Sequence, residues 1–375
     1  MTILQVNTTD RGGGAEGSAL NLMRGYAARG HDSWMAVGTK QSRAENVVEI
    51  PRAPIHGLGC PLQVAACLLR RWCGHTATAY ALARRLETIA DPQRRHARRH
   101  GLEDFNFPGT GQLLALTPTP PDLVHCHNLH GWYFDLRELP SLSQRCPVIL
   151  NLRDAWLLTG HCAYFMECER WRHGCGDCPD LQRYPAVRRD GTAANWRRKM
   201  DIYAGSRLFV TAPSEWLVSC ARSSGFKAMD YRVIPNGIDL SVYRPGDRQG
   251  ARQRLGLPAD RKIVLFAAAS SRNVYKDPDT MTATVRELAA LPQGRNALFV
   301  CLGRARPKGL IGLPIIHVPF QREARVVADY YRAADVFVHT ARAEAFGKTA
   351  TEAMACGTPV VASHTGGLPE QVLDG

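Results

Sequence analysis

The clearest run of alternating and periodic positions lies near the end of the chain. Residues 335–340 (DVFVHT) alternate and are rich in β-branched side chains, so they read as a buried strand. A short loop holds Glu344, and residues 348–355 have helix-forming composition. Gly357 and Pro359 end that helix in the expected order. Residues 360–363 form the next strand, followed by a polar loop at 364–367. In such a β-α-β run the loops after the strands share one edge of a parallel sheet, where α/β proteins bind ligands. That reading puts Glu344 in the crevice and Glu352 on the following helix. The helix N-terminus near Phe346, Gly347 and Lys348 offers unpaired N–H groups to an anion. A phosphate beside two carboxylates is the chemistry of a nucleotide sugar.

Upstream, the pattern repeats. Residues 2–7 read as a strand, Gly12, Gly13 and Gly14 as a loop, and 15–29 as a helix stopped by Gly30. Further strands are predicted at 33–37, 122–127, 148–152, 208–212 and 231–235, with a helix through Leu139 and another capped by Ser214. A turn at Asn236-Gly237 is predicted to need positive φ at the glycine. Residues 241–261 read as a polar linker with one short helix. Beyond it, strands at 263–269, 297–302 and 315–318 and a helix at 323–334 complete a doubly wound parallel sheet. The fold class is therefore α/β. The expected domains are 1–240, with a basic segment at 55–111 and a cysteine cluster at 160–180, and 262–375.

Composition narrows the setting. With 375 residues and 45% hydrophobic content, two or three domains with sizeable cores are possible. No apolar run approaches the ~18 residues of a membrane span, and the start lacks the basic and apolar regions of a signal peptide. The expected compartment is the cytoplasm, where the 12 cysteines are thiols or metal ligands. A net charge of +13 suits phosphorylated substrates, anionic lipid or nucleic acid. The basic segment carries four arginine pairs, the last at Arg98-Arg99, and its residues 58–69 and 77–89 can be drawn as helices with one apolar face. They read as packing on their own domain, or as a basic face held peripherally on an anionic membrane.

The stretch EAFGKTATEAMACGTPVV (344–361) resembles the signature of retaining glycosyltransferases of family 4, as do GGLPE at 366–370 and GGAE at 13–16. The resemblance implies a GT-B fold, two Rossmann-like domains facing across a cleft, with no catalytic metal. It implies transfer of a hexose-type sugar from a nucleoside diphosphate to a saccharide or lipid-linked acceptor hydroxyl, with retention, in polysaccharide or glycolipid synthesis. Glu344 would orient the donor sugar and Glu352 hold the ribose. Gly13, Gly14, Phe346 and Gly347 would let backbone approach the diphosphate, which Lys276 and Arg272 would neutralise. Where many relatives carry a histidine in the loop after the strand at 148–152, this chain has Arg153, which cannot act as a base at physiological pH. Relatives also continue past the point where this chain stops, so the second domain is expected to be incomplete.

Cys162, Cys168, Cys175 and Cys178 fall within 17 residues, and the closing C-x-x-C suits tetrahedral zinc. Free thiols or an iron–sulfur centre are the other readings. A subgroup of family-4-like transferases carries a similar Gly-His-Cys…Cys…Gly-Cys-x-x-Cys-Pro insertion, which implies a structural metal. Two other classes compete. A zinc-containing nucleic-acid-binding protein would use the charge and cysteines, although phosphate loops in both halves argue against nucleic acid. An NAD-dependent oxidoreductase would use Gly12, Gly14 and Gly17 as G-x-G-x-x-G, but the next strand ends without the acid that binds ribose.

Overall fold

The structure, a computed structural model, describes residues 1–52, 60–73, 77–268, 274–303 and 314–374. They fall into two compact units. Unit 1 comprises 1–212 and 218–232, and unit 2 comprises 213–217 and 233–375.

Unit 1 is built on strands β1 (Thr2–Thr9), β2 (Asp32–Thr39), β3 (Val47–Glu49), β4 (Leu123–Cys126), β5 (Val148–Asn151), β6 (Leu208–Ala212) and β7 (Asp230–Val233), in the order β3-β2-β1-β4-β5-β6-β7. Pairing is parallel from β3 through to β6. Ile3, Leu4, Val6, Val124, Val148 and Leu150 are buried, as expected where helices cover both faces of a parallel sheet. Helix α1 (Gly14–Ala27) follows β1 directly. Helices α2 (Cys60–Cys73) and α3 (Ala77–Ala90) pack on each other. Helix α4 (Pro92–Arg99) starts on Asp91, whose carboxylate accepts from the Gln93 and Arg94 amides. Helix α5 (Leu139–Arg145) begins where the sequence pattern predicted a helix to end. Pro140 suits a first turn, so it opens this helix. Helices α6 (Thr192–Ala204) and α7 (Glu215–Ser223) complete the set, and Ser214 Oγ accepts from the Leu217 amide as the predicted cap.

Unit 2 has strands β8 (Lys262–Ala268), β9 (Ala297–Gly303), β10 (Ile315–Val318), β11 (Val336–His339) and β12 (Val360–Ala362), all parallel, in the order β10-β9-β8-β11-β12. Alternation along the strands divides the core in two. Ile263, Leu265, Leu298, Val300 and Leu302 face one cluster, and Val264, Phe266, Phe299 and Cys301 face the other. Helices α8 (Arg248–Leu255) and α10 (Ala324–Ala333) cover the first, and α9 (Pro278–Ala290) the second. Each such buried aliphatic side chain contributes about 1.5–3 kcal/mol.

Two expectations change. The 241–261 stretch is part of unit 2 and no linker. Tyr243, Ala251 and Leu257 sit in its core, and the buried Arg252 binds the Ala333 carbonyl and the Asp335 carboxylate at 3.0 and 2.8 Å. Its polar composition reflects arginines whose heads are satisfied by backbone and acids while their stems pack. Gly237 is not among the positive-φ glycines, and a Cβ there would meet nothing within 4 Å, so the turn places no demand for glycine.

Candidate active site

In unit 2 the strand order reverses between β8 and β11, which opens a crevice at their C-terminal ends. The chain leaving β8 passes through 269–273 and reaches Lys276. The chain leaving β11 holds Glu344 and then helix α11 (Lys348–Ala355). Lys276 and Glu344, 68 positions apart, form an ion pair here. Thr340 Oγ1 donates to the carbonyls of Lys276 and Asp277 at 3.1 and 3.2 Å, and the Arg342 amide donates to the Tyr275 carbonyl at 2.9 Å. Two loops are thereby locked to each other. Burial opposes the charge of Glu344, but Lys276 and His339 outweigh it and hold the carboxyl well below the usual carboxylate range. His339 Nε2 lies 3.4 Å from the same carboxylate oxygen. Asp277 caps α9 by accepting from the Thr280 amide at 3.1 Å, and Asp279 lies in the first turn of that helix.

Backbone shape fixes Glu344. Gly366 has φ +56°, and a Cβ there would lie 1.9 Å from the Glu344 carbonyl oxygen. The Gly367 amide donates to that carbonyl at 3.0 Å. Gly347, at φ +94°, caps α11, and a Cβ there would press on Leu368 at 2.3 Å. The helix thus starts with bare backbone at Phe346 and Gly347, beside the Lys276–Glu344 pair. Glu352 is one turn further along. Its Oε2 accepts from Tyr331 at 3.2 Å and its Oε1 lies 3.5 Å from the Lys348 ammonium. Burial raises its pKa, against the lowering effect of Lys348 and the tyrosine hydroxyls. His339 and Tyr331 carried no site role in the sequence, and Gly366 stood there only within the GGLPE motif; the fold shows which glutamate each one meets. Arg272 lies outside the described residues.

In unit 1 the reversal falls between β1 and β4. Gly13 caps α1, and its amide donates to Glu16 Oε2 at 2.8 Å. Gly14 opens the helix, with open space where a Cβ would stand. The three histidines on and just after β4 separate. His125 Nδ1 faces the Tyr26 hydroxyl at 3.1 Å, and burial, then Arg153, lowers its pKa to about 3. His127 is buried against Gln5 at 2.7 Å and Arg153 at 3.3 Å. Both belong to the interior. Period-2 placement turns both rings of an i, i+2 pair to the same covered face. His130 lines the larger cavity of unit 1, with Nε2 bonded to Asp154 Oδ2 at 2.9 Å. Burial lowers the Arg153 pKa to about 10, against the raising effect of Glu16.

The four cysteines of the cluster are neighbours. Burial raises Cys162 to about 12 and Cys175 to about 11, and the other thiols add to it. The Gly160 amide points at Cys175 Sγ at 3.3 Å, and His161 Nε2 lies 3.3 Å from Cys178 Sγ. Left-handed φ at Gly174, Cys175, Gly176 and Asp177 curls the chain into a tight knuckle. Among the described residues no three His, Cys, Asp or Glu side chains are grouped closely enough to hold a metal ion.

Both units have counterparts among known proteins. The family model described as Glycosyltransferase Family 4 matches residues 12–242, and that of Glycosyl transferases group 1 matches 247–375. The chain belongs to glycosyltransferase family 4. Its fold is GT-B, as in the Anabaena protein HepE solved with UDP and glucose (TM-score 0.60, 18% identity, 100% of this chain and 84% of that one). Sucrose-phosphate synthase from Thermosynechococcus elongatus is similar (TM-score 0.58, 19% identity, 98% and 82%). Curated relatives include D-inositol 3-phosphate glycosyltransferases. That of Nocardiopsis dassonvillei is 39% identical over 163 residues, covering 38% of this chain and 36% of the relative. That of Mycobacterium tuberculosis strain H37Ra is 40% identical over 156 residues, covering 38% and 31%. The chain thus spans about a third of the length of the curated relatives it matches. The family assignment displaces the nucleic-acid-binding and oxidoreductase readings.

Proposed function

We propose that this chain transfers a hexose-type sugar from a nucleoside diphosphate to an acceptor hydroxyl, with retention of configuration, in polysaccharide or glycolipid synthesis. The observation that carries the reading is the Lys276–Glu344 pair at the switch point, next to the bare N-terminus of α11. The anomeric C–O bond to the diphosphate breaks with its electron pair on the phosphate oxygen. Lys276 and the α11 amides stabilise that oxygen as it becomes anionic, and Arg272 joins them. The acceptor oxygen bonds to the anomeric carbon from the same face, and its proton leaves with the diphosphate. Glu344 holds the sugar hydroxyls, while Glu352 receives the ribose by exchanging its contacts to Tyr331 and Lys348. Gly13 and Gly14 let backbone approach the substrate. HepE's complex with UDP-glucose and the relatives' action on inositol 3-phosphate support a nucleotide-sugar donor and a hydroxylated acceptor.

A thermal-shift panel of nucleoside diphosphate sugars tests the reading, since a ligand of the folded state stabilises by mass action. At least one donor should raise the melting temperature and support transfer. Lys276→Met and Glu344→Ala should each lower kcat by about 10²-fold or more, as loss of a charge-stabilising group does. A chain stabilised by none of the panel would overturn the proposal.

Two accessory readings accompany it. Cys162, Cys168, Cys175 and Cys178 would hold a structural zinc, which would draw neighbouring thiols into one sphere and order the loop. Separately, Val64 and Leu68 on α2 and Leu82 and Ile89 on α3 are each about half exposed within the arginine-rich segment. That combination supports peripheral contact with an anionic membrane. No helix among the described residues is long and apolar enough to cross one.

A further inference from the structure

Unit 1 contains a cavity of about 350 Å³, within the size range of small-molecule sites. Arg84 on α3, Arg98 on α4, Arg188 on the loop after the cysteine cluster, and His130, Trp132 and Trp156 are among its walls. None of these residues belongs to the donor machinery proposed above. The cavity's carboxylates are already committed. Glu87 pairs with Arg52 at 3.1 Å, Asp104 with Arg94 at 3.1 Å, and Glu103 with the buried Lys199 at 2.8 Å. Two of the arginines are not. Arg98 and Arg188 make no ion pair and no hydrogen bond among the described residues, yet they lie close enough to act on each other. Burial lowers the Arg98 pKa first, and Arg188 and then Arg85 lower it further. Like charges gathered at a cavity wall without counter-charge are stabilised when an anion enters. Arg84 lies flat on the Trp132 ring, 3.4 Å from its centroid, which fixes a third guanidinium in the same wall. His130 stands in the same wall with Nε2 on Asp154 Oδ2 at 2.9 Å, a pair that adds no uncompensated charge.

We propose that this cavity receives the acceptor, and that the acceptor is an anionic saccharide, one carrying a carboxylate or a phosphate that Arg98 and Arg188 clamp. The indole and phenyl groups of the wall suit the apolar face of a sugar ring. The two free guanidinium forks match a planar carboxylate or a phosphate, which a neutral sugar cannot offer. The acceptor role rests on the transferase reading. Recognition of an acidic sugar does not.

Binding is measured by calorimetry on the full chain without nucleotide sugar, so donor chemistry plays no part. The probes are a glucuronate-terminated disaccharide, glucose 6-phosphate, a neutral glucose disaccharide and inorganic phosphate. At least one acidic sugar should bind about tenfold or more tighter than the neutral disaccharide, and the stronger of the two identifies the anion. The Arg98→Ala/Arg188→Ala double variant should lose that preference, while Arg98→Lys/Arg188→Lys should keep part of it. Circular dichroism and nucleotide-sugar thermal shift should stay unchanged in both variants. Equal binding of acidic and neutral sugars, or an undiminished preference in the alanine variant, would overturn the proposal. So would inorganic phosphate binding as tightly as glucose 6-phosphate, which would remove the saccharide from the argument. A chain that prefers acidic sugars but responds to no donor would refute the transferase reading and leave the anionic-saccharide site standing.

Discussion

Single side chains in this protein take their chemistry from what covers them. Of the three histidines on and just after β4, two are buried and held neutral, while His130 keeps a carboxylate partner and gains basicity. Burial disfavours its imidazolium, but Asp154 more than compensates. A group whose pKa is raised by folding contributes stability fully below its unfolded value, roughly 6.5, and loses it as pH rises through the folded value. The contribution of the His130–Asp154 pair should therefore be present at pH 5.5 and decline above neutrality. Melting temperatures from pH 5.5 to 8.5 should fall more steeply for the wild type than for Asp154→Asn. Parallel curves would remove the pair as a source of pH dependence. Glu344 runs the other way. Its depressed pKa keeps its pair with Lys276 intact above the ordinary carboxylate range, with loss only as pH falls far into acid.

At the scale of elements, loops matter as much as strands. The Gly366 turn presses its backbone on the Glu344 carbonyl, so Gly366→Ala should displace the carboxylate and add strain at positive φ. We expect a loss of about 1–3 kcal/mol in urea unfolding, with transfer activity falling well beyond what that loss explains. An active, fully stable variant would show that the turn tolerates a side chain. The cysteine knuckle is the second such element. If it is a zinc clip, the protein should contain about one zinc per chain, and chelation should loosen residues 160–190 in hydrogen exchange while both sheets stay protected. A metal-free chain with the same protection would leave four plain thiols.

For the molecule as a whole, charge is the organising quantity. The excess of 47 basic over 34 acidic side chains is not spread evenly: α4 carries four arginines and no acid, and the exposed aliphatics of α2 and α3 lie close to it in the chain. Binding to vesicles rich in anionic lipid should follow, and should weaken about tenfold or more between 50 and 300 mM salt as screening grows. Equal affinity for neutral vesicles would assign the exposed aliphatics to something other than a membrane.

The sequence by itself determined the strands and helices of unit 2 and the parallel topology they imply. Alternation, breaker residues and loop order are local properties, and α11 and β10 begin and end where the pattern put them. It also nominated Glu344 and Glu352, which share one short motif, and Lys276, from a separate loop that resembles the family's. Only tertiary structure decided what each of these groups touches. The partners of Glu344 come from two other segments, and those of Glu352 include tyrosines from α10 and from before α8, separations at which a linear pattern carries no distance information. The same limit hid the fate of the polar stretch at 241–261, whose arginines look solvated in sequence and are bound to carbonyls in the fold. It also hid the cavity of unit 1. Its character depends on which acids are already paired, and pairing is a property of packed side chains in three dimensions rather than of composition.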